Sequence, residues 1–315
     1  MIFYNKNICM TSQKPDSIEV IKVNFNKDAL PKYVNMSTMV LTSELDTTID
    51  TFSVGKYIDL RRNGVLSTKY SNNSIVRSII VLKMKNKKKV KKAKCNFLNS
   101  TTIVVQIRDN KRVNIKLFQN GAIQMTGCKN IDDFIAGLDV ICRELKKVKV
   151  IYNIGDGTLT RKPFVDKPEN VSIDGIKNFY IRLINCHFHV EFQIDRPVLY
   201  KILQDMNVCS TFEPCSHAGV NIKYIYKNKA IISIFVFESG SIIITGAKTK
   251  YQVYRSYQFI IAVLYQNYNK LVKINIDDFL EKPEIRQLVD EYFHNFVESI
   301  NDRYVDPEND HPTEN

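Results

Sequence analysis

The amino-acid sequence predicts an α+β protein built from two copies of one unit, and three observations carry that prediction. The stretch Phe235-Val236-Phe237-Glu238-Ser239-Gly240-Ser241-Ile242-Ile243-Ile244-Thr245-Gly246-Ala247-Lys248 repeats the pattern of Lys116-Leu117-Phe118-Gln119-Asn120-Gly121-Ala122-Ile123-Gln124-Met125-Thr126-Gly127-Cys128-Lys129. Phe118, Gly121, Thr126 and Lys129 recur as Phe237, Gly240, Thr245 and Lys248, each 119 positions later. At the same spacing Phe134, Ile135, Leu138, Ile141, Cys142 and Leu145 become Val253, Tyr254, Tyr257, Ile260, Ile261 and Leu264, apolar positions at helical intervals. Each copy therefore reads as strand, glycine turn, strand and helix. The helix stripe covers one face of the sheet, and the other face is left for something else.

Taken in order, residues 1–32 mix Asn, Lys and Ser with a few apolar residues and predict a loosely ordered arm with room for one short element. Residues 34–41 predict a strand, and a helix is expected from Leu45 to about Leu60, capped by Asp46 or Thr47. Residues 65–70 and 75–82 read as strands. The eight lysines within 83–94 cannot pack inside; they read as a solvated hairpin tip, with phosphate contact or a nuclear-import signal as alternatives. Residues 101–107 and 113–118 form a hairpin across Arg108-Asp109-Asn110-Lys111.

The first copy closes near residue 150, and Gly155-Asp156-Gly157 predicts a turn joining two short strands in a linker over 151–178. That turn lacks the Gly-x-x-x-x-Gly-Lys-Ser/Thr spacing of a phosphate loop. The second copy, 179–275, restarts with a strand over 179–192. A helix from Arg196-Pro197 to Met206 and strands 223–226 and 230–237 follow. In 276–315 the residues Ile285, Leu288, Val289, Tyr292, Phe293, Phe296 and Ile300 mark an amphipathic helix before a polar tail.

With 315 residues and 44% hydrophobic content the chain can bury a substantial core. A net charge of +12 favours an acidic partner such as nucleic acid. No apolar run approaches a bilayer span and no secretory signal opens the chain, so an intracellular location is expected, without membrane attachment. Seven scattered cysteines suit buried thiols in a reducing compartment.

The doubled pattern Phe-x-x-Gly-x-Ile-x-x-Thr-Gly-Ala-Lys, with a helix after each copy, resembles the TATA-box-binding protein family. Its divergent versions from large DNA viruses are nearest. The resemblance spans roughly residues 33–274; Phe237 to Lys248 match well, and Cys128 stands for Ala in the first copy.

It implies a pseudo-twofold saddle, a curved antiparallel sheet with helices on its convex face and the DNA minor groove on its concave face. Phe118 and Phe237 match one aromatic wedge in each half, and such wedges unstack a base step and kink the duplex, a mechanism long attributed to this family. The second wedges fall on His217, after Glu213-Pro214, and on Thr101, with Phe97 nearby. The implied concave face comprises Phe235, Ile243, Thr245, Lys116, Gln124, Thr126, Val34, Met36, Leu183 and Asn185. The family's paired asparagines align with Val34 and Leu183. Lys129, Lys248, Lys223 and Arg108 are the expected phosphate contacts, and Glu213 and Pro214 the expected partner-binding end.

The implied partners are A·T-rich double-stranded DNA, a transcription factor IIB-like factor and the RNA polymerase machinery. The protein is expected as a monomer on DNA, in a nucleus or a viral factory, with no cofactor and no metal. Cys186, His187, His189, Cys209, Cys215 and His217 are zinc-ligand types, but no Cys-x-x-Cys occurs and His187 and His189 face away from Cys186. The competing readings are a saddle repurposed as a protein-interaction adaptor, for which Lys116 and Gln124 would be symptoms, and an enzyme. No paired carboxylates or nucleophile constellation support the enzyme.

Overall fold

The computed structural model describes residues 18–71, 75–81, 99–152, 155–227, 230–273 and 282–301. The lysine-rich run 83–94 lies outside them. The first half contributes β1 (Asn35–Glu44), α2 (Thr51–Tyr57), β2 (Val65–Tyr70), β3 (Ile75–Ser78), β4 (Ser100–Arg108), β5 (Lys111–Phe118), β6 (Ala122–Cys128) and α3 (Ile131–Leu145). A hairpin, β7 (Lys149–Tyr152) and β8 (Leu159–Lys162), follows. The second half contributes β9 (Lys177–His189), α4 (Arg196–Asp205), β10 (Ser210–Thr211), β11 (Val220–Tyr226), β12 (Ala230–Val236), β13 (Ser241–Ala247), α5 (Lys250–Gln266) and α6 (Tyr268–Leu271). Helices α1 (Ile18–Lys27) and α7 (Pro283–Asn301) flank the two halves. The region expected to be an arm thus contains a ten-residue helix whose Phe25 is buried.

Eleven strands form one antiparallel sheet in the order β10-β11-β12-β13-β9-β1-β6-β5-β4-β2-β3. Strands β1 and β9 meet at the centre, and the order outward from them is the same on both sides: β6-β5-β4 on one and β13-β12-β11 on the other. Period-two alternation splits the sheet residues between two faces. Met39, Leu41, Ile115, Leu117, Ile123, Met125, Ile184, Cys186, Ile234 and Ile244 are buried on one, under Phe134, Leu138 and Ile141 of α3 and Val253, Ile260 and Leu264 of α5. Side chains capping four helix starts are of the expected type: Asp50, Asn130, Asp195 and Thr249 each accept a backbone N–H of the first turn.

The pseudo-symmetry reaches individual hydrogen bonds. Leu45 and Ile49 donate their N–H groups to Gly121 and Gln119 carbonyls, as Val190 and Ile194 do to Gly240 and Glu238. Asp50 donates to the Phe164 carbonyl, and Asp195 to that of Leu271. Residues 164–165, inside the expected linker, therefore serve the first half as Leu271 and Val272 serve the second, including the bridges Ile49 to Val165 and Ile194 to Val272.

Pairs such as Leu45 and Val190, or Asp50 and Asp195, stand 145 apart in sequence, against 119 for the later hairpins. This bonding also corrects one expectation: no helix starts at Leu45, because residues 45–50 hold the hairpin turn, and α2 begins at Thr51 behind the Asp50 cap.

Cys128, Cys142 and Cys186 are buried, and burial pushes each thiol up to about 12; Cys209 and Cys215 are exposed. A thiolate is the reactive form, so a neutral-pH alkylating reagent followed by peptide mass mapping should label Cys209 and Cys215 quickly. Labelling of Cys128, Cys142 and Cys186 should await denaturant.

Candidate nucleic-acid interface

The face opposite the helices stays open, and its centre is the β1–β9 seam. Val40 lies opposite Leu183 and Thr38 opposite Asn185 across it. A bulge on each strand adds one more residue to this face: Ser37, whose hydroxyl is 2.7 Å from His187 Nδ1, and Arg182, whose Nε donates to Thr42 Oγ1 at 2.8 Å. Ser37 and Arg182 are 145 apart, as are Thr42 and His187, so these two contacts are symmetry mates.

Outward from the seam, Thr126 and Gln124 of β6 stand beside Asn114 and Lys116 of β5. Their counterparts are Thr245 and Ile243 of β13 beside Ser233 and Phe235 of β12. Thr245 Oγ1 donates to Asn185 Oδ1, and Gly127 N–H to Thr38 Oγ1 at 3.0 Å. Lys223 extends over the same face, its Nζ donating to Ser233 Oγ at 2.8 Å. Apolar side chains stand in solvent here: Ile243 is 37% exposed, and the opposed pair Ile225 and Ile231 are 55% and 63% exposed.

Phe118 ends β5 and Phe237 directly follows β12, at equivalent places, and the carbonyl of each accepts the N–H of the turn glycine three residues on. The Phe237 ring lies against Gly219, where a Cβ would come within 3.1 Å of it, and 6.0 Å from the His217 ring, which is itself 5.1 Å from Phe235. Phe118 borders a groove of about 470 Å³ with Thr48, Asn99, Gln119 and Asn120. The structure thus brings His217, Phe235 and Phe237 into one aromatic cluster at the far end of the second half. Glu213 and Pro214 are exposed just before it.

Other expected residues lie elsewhere. Thr101 is 0% exposed and donates its hydroxyl to the Thr51 carbonyl. Its partner Leu117 corresponds to Val236, the partner of Val220, so Thr101 matches buried Val220, not His217. The position matching His217 is Leu98, outside the described residues, as is Phe97.

Val34 is buried at 6% before β1 begins, and Met36 turns toward the core opposite Cys186. The seam residue equivalent to Leu183 is Thr38. Arg108 is held on the helix side by Asp133, which also binds Lys111 at 3.4 Å and the Lys129 N–H at 2.8 Å. Lys129 and Lys248 are exposed. Cys186 points into the core, while His187 and His189 share the open face. The expectation missed Ser37, Thr38, Thr42, Arg182 and His187. Period-two counting from β9 reaches His187; the bulged Arg182 needs the strand pairing.

A curated protein described as "TATA-box-binding protein-like", from Acanthamoeba polyphaga mimivirus, is 34% identical over 275 residues, covering 80% of this chain and 70% of its own. The chain belongs to the TATA-box-binding protein family. The family model "Transcription factor TFIID (or TATA-binding protein, TBP)" matches residues 178–267, the second repeat. Among solved structures, Methanococcus jannaschii TBP is similar at a TM-score of 0.44 and 15% identity, over 74% of this chain and 98% of its own.

Members of the TATA-box-binding protein family are non-enzymatic DNA-binding transcription factors, and a transcription-related, DNA-binding role follows for this chain. The two-repeat sheet is the family's saddle, and the open face is its concave side. No described helix is long and apolar enough to cross a membrane.

Proposed function

We propose that this TATA-box-binding protein family member starts transcription by seating its concave face in the minor groove of A·T-rich promoter DNA. Phe118 and Phe237 bend the duplex as wedges. The observation that carries the reading is the open face itself: a two-fold sheet surface with solvent-exposed isoleucines and a phenylalanine at each end. Exposed apolar surface of this kind marks a binding site, and against a sugar and base floor it replaces water.

Lys223 on the open face, with Lys129 and Lys248, supplies cations for the phosphate walls. The exposed Tyr251, Tyr254, Tyr265 and Tyr268 of α5 and α6, with the Glu213-Pro214 end, offer surfaces for a transcription factor IIB-like factor and the polymerase machinery.

Replacing every A·T pair of a bound duplex by inosine·cytosine tests groove choice. This keeps the minor-groove pattern of A·T and gives the major groove the pattern of G·C. Retained binding is expected; loss of binding would place the protein in the major groove. Lys129→Ala/Lys248→Ala should weaken binding to all duplexes alike and flatten the log Kd against log salt slope by about 2, one per phosphate contact. An unchanged slope would remove these lysines from the interface.

A further inference from the structure

The two halves of the concave face are alike in geometry and opposite in chemistry. From the seam across the first half a row runs over five strands through Arg182, Thr42, Gln124, Lys116 and Thr102. Its symmetry mate in the second half runs through Ser37, His187, Ile243, Phe235 and Asn221. Thr42 and Thr102 match the polar His187 and Asn221, but Gln124 and Lys116 match the apolar Ile243 and Phe235, and the Arg182 cation matches the neutral Ser37. Lys116 Nζ also lies 6.0 Å from the Phe118 ring, beside the first wedge.

The minor groove distinguishes G·C from A·T by a single added donor, the guanine 2-amino group. Ile243 and Phe235 leave that donor without a partner, and an unpaired buried donor is costly. Gln124 can accept it through its amide oxygen, while Lys116 and Arg182 donate to the acceptors of guanine and cytosine on the same floor.

We propose that the two half-saddles read different sequences: the first, through Gln124 and Lys116, accepts a G·C pair, and the second, through Phe235 and Ile243, requires A·T. The target is then a directional element. This inference rests on the minor-groove reading above and names its specificity.

Affinity and bending are measured on three duplexes of one length: A·T throughout, one G·C pair at one end of the site, and one G·C pair at each end. The protein can turn to put a single G·C pair under its first half, so the first replacement should cost less than about threefold. The second must fall under Phe235 and Ile243 and should cost roughly ten- to a hundredfold, the range for a mismatched base pair.

Lys116→Phe/Gln124→Ile, which writes the second half's residues into the first, should make the first replacement cost about tenfold as well. The reciprocal Phe235→Lys/Ile243→Gln should make both replacements cheap; both lie on the open face, and thermal melts check that they fold. Equal steps in the wild type would overturn the asymmetry while leaving minor-groove bending intact. Failure to bend any of the three duplexes would overturn the proposed function, and this inference with it.

Discussion

Phe118→Ala/Phe237→Ala is expected to abolish bending of an A·T-rich duplex and to weaken binding by about a thousandfold. Each ring stands at the end of a strand on the open face, at positions related by the pseudo-dyad. A large aromatic anchor at an interface costs about 2 kcal/mol or more on truncation, so two give about 4 kcal/mol, close to three factors of ten. The loss of bending is the more telling part, because kinking needs a side chain inserted between bases.

Each single variant should lose about half of this binding energy: Phe237, backed by Gly219 and the His217 ring, should cost about 2 kcal/mol on truncation. Fluorescence-detected bending on the double variant, with its thermal melt as a folding control, checks the result. A double variant that still bends DNA would remove both rings from the mechanism.

The largest effect on folding is expected at the paired turn glycines. Gly121 and Gly240 have φ of +87° and +83°, in the left-handed region that L side chains rarely adopt. A Cβ on Gly121 would lie 2.4 Å from the carbonyl oxygens of both Leu45 and Thr47; on Gly240 it would lie 2.3 Å from that of Val190 and 2.7 Å from that of Phe192. These oxygens belong to the backbone that follows β1 and β9, so the clash cannot be relieved by turning a side chain.

Conformation and contact act together, and Gly121→Ala or Gly240→Ala should each cost about 3 kcal/mol or more in urea unfolding. Gly157, also at positive φ but with nothing within 4 Å of a Cβ, is the control: Gly157→Ala should cost about 1 kcal/mol. Equal losses at all three positions would show that packing against the turns is unimportant.

The repeat made much of this architecture legible. The hairpins, the glycine turns and helices α3 and α5 follow from a single 119-residue spacing, and the open-face positions of Lys116, Gln124, Phe235 and Ile243 follow from alternation alone. The first strand of each half obeys a different spacing, 145, because the first half is 26 residues longer between α2 and its hairpin. Without that number the sequence pairs Leu183 with Val34, four residues from its mate Thr38.

Bulges hid Ser37 and Arg182, since a bulge breaks the alternation used to assign faces and is visible only in the pairing of β1 with β9. Thr101 departs from its expected place for another reason. A threonine in a strand looks like an open-face residue, yet here its hydroxyl is satisfied by the Thr51 carbonyl inside the core. Leu45 and Ile49 mimic a helical stripe, but both serve the hairpin turn through their backbone N–H groups.

The central claim, that the open face binds and bends A·T-rich DNA, is tested most directly by energy transfer between dyes at the two ends of a duplex. Wild-type protein is titrated onto A·T-rich and G·C-rich duplexes at two salt concentrations. The account predicts a shortened end-to-end distance on the A·T-rich duplex, in a complex weakened by added salt, and little bending of the G·C-rich one. Equal, salt-labile binding to both duplexes with no shortening would contradict it, leaving a basic surface that holds DNA without reading or deforming it.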